Sequence, residues 1–260
     1  VFLHALKPNL PYLFLVFTYF FLTFLVGFIQ IRFFIKTAKL YFLIPAAVIV
    51  GILTNILFLA LFSYWLKGPI GILLINGIYV ISSLFLIVKR PALLHIDYPK
   101  LSLSTFIIAG LWSCFLLFLF FTAGNNTYGG DVIAYWGFAT SFANGNYPLR
   151  SPWQPDLLAT HHQGGYLYEG AIFALTNVNI GFIHSLFSVL VIAGGFFLLW
   201  GIIRLKTQFK IWSIIPAIIF YISFGAIFVP IPERLATFIS NDTVIQKNEG
   251  WPIFTDVKNR

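Results

Sequence analysis

Methionine is absent from the 260 residues, cysteine occurs once, and only eight residues are acidic. Lys and Arg add 16, so charged residues make up 9% of the chain, against about 25% in soluble domains. A soluble fold of this length needs a polar skin that so few charges cannot form. Disorder is excluded too, because 59% of the residues are hydrophobic and the mean hydropathy is +0.90. Cys114 lies in an apolar run and has no intrachain partner, so the redox compartment stays open. A chain without Met, even at position 1, is expected to be a fragment or a processed product.

What is abundant is hydrocarbon, with Phe alone at 31 positions. The uncharged runs 8–31, 40–66, 68–88, 101–130, 170–203 and 211–232 all exceed the roughly 20 residues that a helix needs to cross a bilayer. Barrel strands would instead show alternating segments of about ten residues. The expected fold is all-α: a polytopic transmembrane helix bundle of about six spans, near 11–31, 41–65, 69–88, 103–123, 180–203 and 211–229. The first run is too long, and too weakly charged in front, for a simple signal peptide. No repeat of fixed period interrupts the pattern, and residues 1–260 are expected to form a single integral membrane domain.

Orientation follows from Lys and Arg. Arg32, Lys36, Lys39, Lys89, Arg90, Lys100, Arg204, Lys206 and Lys210 fall after spans one, three and five. The alternate loops before the C-terminal tail hold only Lys7, Lys67 and Arg150. This split of nine to three makes the first set cytoplasmic. The net charge of +8 then reflects topology, and nucleic acid is not an expected partner. Loop 124–169 and the C-terminal segment 231–260 become external. In a prokaryote the site would be the plasma or inner membrane. All acidic residues except Asp97 lie on that external side.

Loop 124–169 is far longer than an ordinary helix connection, and loops of that length are usually functional. Val132, Tyr135, Trp136, Ala139, Phe142 and Ala143 recur at helical spacing and predict a short amphipathic helix over 132–143. Asp131 starts it, Asn144-Gly145 stops it, and its apolar face is expected on the outer membrane interface. Pro148, Pro152 and Pro155 punctuate the next stretch, which carries Arg150, Trp153 and Asp156. After His161-His162 a second apolar helix is expected through Tyr166, Tyr168 and Phe173, broken at Asn177 and Asn179.

Each polar residue here admits a structural and a chemical role. Asp131 is either a helix cap or a base at the membrane surface. Arg150 either pairs with Asp156 or recognises phosphate. His161 and His162 are interface residues or contacts to phosphate or sugar. Glu169 stands between Tyr168 and an apolar run, where a carboxylate needs a partner such as Arg150 or a His. No second His or Cys pair stands at zinc-ligand spacing, so no metal site is assigned, although a divalent cation joined by Glu169 stays open. P-loop, GxSxG and HExxH signatures are missing.

The run Asp131-x3-Tyr135-Trp136-x2-Ala139, with Asn144-Gly145-Asn146-Tyr147-Pro148, Pro152-x2-Pro155 and His161-His162, resembles the first external loop of GT-C-type glycosyltransferases. These polytopic enzymes are related to the protein mannosyltransferases and the aminoarabinose transferases of lipid A. The likeness covers about 60 residues, from Gly129 to roughly His184. One departure stands out: the family's Asp usually follows the first span, whereas four spans precede Asp131 here. The family also has more helices than six.

The resemblance implies transfer of a sugar from a polyprenyl-phosphate donor to an acceptor at the external face. Asp131 would be the general base. Tyr135, Trp136, Arg150, Trp153, His161, His162 and Glu169 would line the substrate site. The partners would be the lipid-linked donor and membrane lipid, with no certain cofactor. A transporter or flippase, hinted at by Asn55, Asn76 and Pro216, is the first alternative. A non-catalytic membrane scaffold is the second.

Overall fold

Apolar runs without charge leave the backbone no partner in a bilayer except itself, so they become helices. The computed structural model describes residues 10–35, 39–90, 130–150 and 163–206, with isolated positions at 107, 110, 111, 114, 158, 214, 215 and 218. Among the described residues a short 3-10 helix (Leu10–Tyr12) is followed by six α-helices: α1 (Leu13–Phe34), α2 (Leu40–Phe62), α3 (Gly68–Lys89), α4 (Gly130–Ala143), α5 (Gln163–Thr176) and α6 (Ile180–Lys206). Four of them, α1, α2, α3 and α6, have 22 to 27 residues and are long and apolar enough to cross a membrane. At 1.5 Å per residue, even 22 residues span about 33 Å, slightly more than the hydrocarbon core. The expected spans near 103–123 and 211–229, and the segment 231–260, lie outside the described residues. Those residues all belong to one compact unit within Val1–Phe220.

Local chemistry sets the helix ends. Gly68 takes a positive φ of 69° and Pro69 follows at the start of α3, where its missing N–H costs nothing. The Asn179 side chain accepts from the N–H groups of Gly181 and Phe182 at 3.0 and 3.3 Å and caps α6. Arg32, Lys89, Arg204 and Lys206 occupy the last turns of α1, α3 and α6, where the helix dipole favours cations.

The cations also show which ends meet. The Arg90 guanidinium lies 4.5 Å from the Phe33 ring, and that of Arg204 lies 4.5 Å from Tyr41 and 5.3 Å from Trp200. The C-termini of α1, α3 and α6 and the N-terminus of α2 therefore share one basic end. At the other end the turn between α2 and α3 brings Tyr64 to 4.9 Å from Tyr147. That second end carries α4 and α5.

Lipid tails supply no hydrophobic drive between spans, so small residues and internal hydrogen bonds must hold them. A Cβ on Gly27 would overlap the Ala47 carbonyl oxygen, and one on Gly51 would overlap the Thr23 carbonyl oxygen. Thr23 and Gly27 on α1, and Ala47 and Gly51 on α2, are small residues four apart that let the two backbones touch. Beside this seam the Tyr19 hydroxyl lies 2.9 Å from Asn55 Oδ1 and 3.0 Å from Asn76 Oδ1. Asn55 Nδ2 donates to Asn76 Oδ1 at 2.9 Å, and Asn76 Nδ2 donates to the Ile72 carbonyl at 2.9 Å. Asn55 is fully buried, so these bonds replace the water it lacks.

α4 begins two residues before the expected start and ends where the Asn144-Gly145 stop places it, with Gly145 at φ 88°. Its apolar face differs from expectation in what covers it. Phe138, Ala139, Phe142 and Ala143 are buried, and a Cβ on Gly170 of α5 would overlap the Ala139 carbonyl oxygen. Protein, rather than lipid alone, therefore covers that face.

Candidate functional site

α5 is too short to cross a bilayer, and its glycines let it pack deeply at the end of the bundle. Gly164 faces Ile56 of α2 and Gly165 faces Phe187 of α6. Tyr166 stacks on Phe138 of α4 at 5.2 Å, and Tyr168 meets Tyr19 edge-on at 5.4 Å. The Tyr168 hydroxyl is fully buried beside Thr23, whose own hydroxyl donates to the Tyr19 carbonyl at 2.8 Å. Burial first, then the Tyr19 phenol, pushes the Tyr168 phenol well above its ordinary range.

The next residue carries the site's charge. Glu169 is 2% exposed, and its Oε1 lies 2.9 Å from His184 Nδ1 on α6. A carboxylate only accepts, so the imidazole N–H donates to it. The other carboxylate oxygen, Oε2, is buried and has no hydrogen-bond partner among the described residues. Asn177, at φ 54°, turns the chain between α5 and α6 so that the two residues meet fifteen positions apart.

α4 reaches the same place. A Cβ on Gly181, one turn before His184, would come within 2.7 Å of the Trp136 ring. Trp136 therefore lies against the first turn of α6. Asp131 is the second residue of α4, five positions earlier, or about 7.5 Å along the helix axis. It sits inside the first turn rather than at the cap.

Trp136 and Glu169 thus each reach the first turns of α6, at Gly181 and at His184. Arg150 is exposed and forms an isolated antiparallel bridge with Leu158. The side chains of Asp131 and Tyr135, and the residues Trp153, His161, His162 and Asp156, lie outside the described residues. Among the described residues, no three His, Cys, Asp or Glu side chains gather as a metal site. The partner missed in the sequence is His184. Its signal was there: an imidazole at the head of an otherwise uncharged span, just after a carboxylate that needs a partner.

A cavity of about 220 Å³ opens near the middle of α1 and α2. Phe20, Phe24, Val48, Ile52 and Leu190 line it, with the hydroxyl-bearing Thr23 and Tyr168.

The fold and its four long apolar helices define an integral, multi-pass membrane protein. No family model, curated protein or solved structure matches the chain.

Proposed function

We propose that this protein transfers a sugar from a polyprenyl-phosphate donor to an acceptor at the external membrane face, in the manner of the GT-C enzymes its loop resembles. One observation carries the reading. α4, which has Asp131 in its first turn, rests through Trp136 on Gly181 of α6, the helix whose His184 meets the buried Glu169 of α5. Helices α4, α5 and α6, which carry Asp131, Glu169 and His184, pack together at the end of the bundle opposite the basic one.

The chemistry follows. Asp131 takes the proton of the acceptor hydroxyl. The acceptor oxygen bonds to the anomeric carbon as the bond from that carbon to the phosphate oxygen breaks, and the electron pair leaves on the phosphate. Arg150, with His161 or His162, offsets the charge that develops there. Tyr135, Trp136 and Trp153 offer stacking surfaces for the sugar. The mid-helix cavity also bears on the transporter alternative. Its aromatic and hydrocarbon lining suits a lipid tail and not a polar solute.

The test is transfer of labelled sugar from a polyprenyl phosphate in membranes holding the chain. Asp131→Asn should lower the rate by about 10²–10⁴-fold at unchanged protein level. Its structural cost should stay near 0.3–1 kcal/mol, the value of a carboxylate in a first helical turn. Transfer that survives Asp131→Asn, or is never seen in wild type, would sink the reading.

A further inference from the structure

We infer that His184 binds the phosphate of the lipid-linked donor and that Glu169 is the positioning residue that holds its imidazole for this. The inference rests on the sugar-transfer reading above and adds to it a residue for which the external loop alone offers no hint. Glu169 and His184 are 2.9 Å apart, on helices joined by a three-residue turn. A pair kept only for stability is a poor arrangement here, since desolvation offsets most of its attraction. It is poorer still because Glu169 Oε2 is buried and meets no donor among the described residues. Among the described residues the one donor on this carboxylate is the imidazole.

The geometry gives the pair a direction. Nδ1 is committed to Glu169, so the ring turns Nε2 away from it. The exposure is divided in the same sense: 26% of the His184 side chain is open and 2% of Glu169. The buried carboxylate supplies a counter-charge, so the imidazole can carry a proton on both nitrogens and present Nε2–H outward. A neutral pair with an outward donor suits an anionic oxygen. Gly181, one turn earlier on α6, lies against Trp136 of the helix that begins at Asp131. The base position and the phosphate-facing donor therefore stand on two helices in contact. His184 moves no proton here; it donates a hydrogen bond to the departing phosphate oxygen.

The experiment measures binding of farnesyl phosphate and of farnesol, which lacks the phosphate, to the full chain in nanodiscs. Wild type should prefer farnesyl phosphate. His184→Gln should weaken farnesyl phosphate by about ten- to a hundredfold, as expected for losing one charge-assisted hydrogen bond, and leave farnesol unchanged. Glu169→Gln should weaken farnesyl phosphate in the same sense, and the double variant should be no weaker than His184→Gln. A merely structural pair would lower both ligands alike, and that result would overturn the inference, as would unchanged farnesyl phosphate binding in His184→Gln. If Glu169→Gln folds poorly, the partly exposed His184→Gln decides. Inorganic phosphate is the third arm. Displacement of farnesyl phosphate at matched concentration supports the site with free phosphate as its ligand, and no displacement supports the lipid phosphate. If sugar transfer is never observed while phosphate binding still depends on His184, the sugar-transfer reading falls and this site stands.

Discussion

The Tyr79 hydroxyl donates a 2.8 Å hydrogen bond to the carbonyl oxygen of Gly51. Gly51 is also where α2 touches α1, with the Thr23 carbonyl in the space a side chain would need. One turn of α2 thus holds both neighbours, α1 through a missing side chain and α3 through a phenol.

Gly51→Ala should therefore destabilise the bundle by about 1–3 kcal/mol, because the added methyl meets backbone that cannot rotate away. Tyr79→Phe should cost less, near the 0.6 kcal/mol average for an interhelical hydrogen bond in a membrane protein. Unfolding titrations in mixed micelles measure both. A Gly51→Ala protein as stable as wild type would mean that the two helices part there without cost.

The asparagine network should show an order. Asn76 accepts from Asn55 and lies within reach of the Tyr19 hydroxyl, so Asn76→Ala strands a buried amide and should cost about 1–3 kcal/mol. Tyr19→Phe leaves the Asn55–Asn76 bond intact and should cost less. The reverse order in the same titration would show that Tyr19 is the anchor.

Gly170→Val should act locally. Its side chain would push against the Ala139 carbonyl and lift α4 from α5. Hydrogen exchange should then speed up over 130–143 while α1 to α3 keep their protection. Uniform loosening, or none, would contradict the packing described here.

Topology can be read with thiols. In a Cys114→Ser background, cysteine at the exposed Asn146 should react with an impermeant reagent in intact cells. Cysteine at the exposed Lys206 should react only after permeabilisation. The opposite pattern would invert the protein.

Tyr147 ties the far end to pH. Burial first, then Tyr64 beside it, raises its phenol above the ordinary value of 10.0. A raised acid holds its proton more tightly when folded, so its contribution is intact below about pH 10 and is lost as pH climbs past that value. Tyr147→Phe should flatten part of the alkaline loss of stability, and an unchanged alkaline limb would assign that loss elsewhere.

Much of this architecture was legible because length and charge alone decide it. The expected spans near 11–31, 41–65, 69–88 and 180–203 correspond to α1, α2, α3 and α6. The helix over 132–143 and the break at Asn177 and Asn179 were legible too, since turn residues act locally. Contacts between helices were not. Asn55 and Asn76 stood out as polar residues within spans, but that Tyr19 meets both from another helix is not encoded in their spacing. Spans that are apolar on every side carry no periodic mark of which face turns inward. For Glu169, Arg150 or a histidine was expected as partner, but which imidazole it meets depends on how α5 is rotated against α6, and spacing does not encode that.

The turn at Asn177 has a consequence for how the chain enters the bilayer. Glu169 and His184 hydrogen-bond to each other within one helical hairpin, across fifteen residues of chain. The hairpin carries its own partner for the carboxyl group, so it can leave the translocon as a unit with that group already hydrogen-bonded. Removing the imidazole would then be felt during synthesis, as a hairpin that stalls at the interface, before any assembled bundle exists to be destabilised.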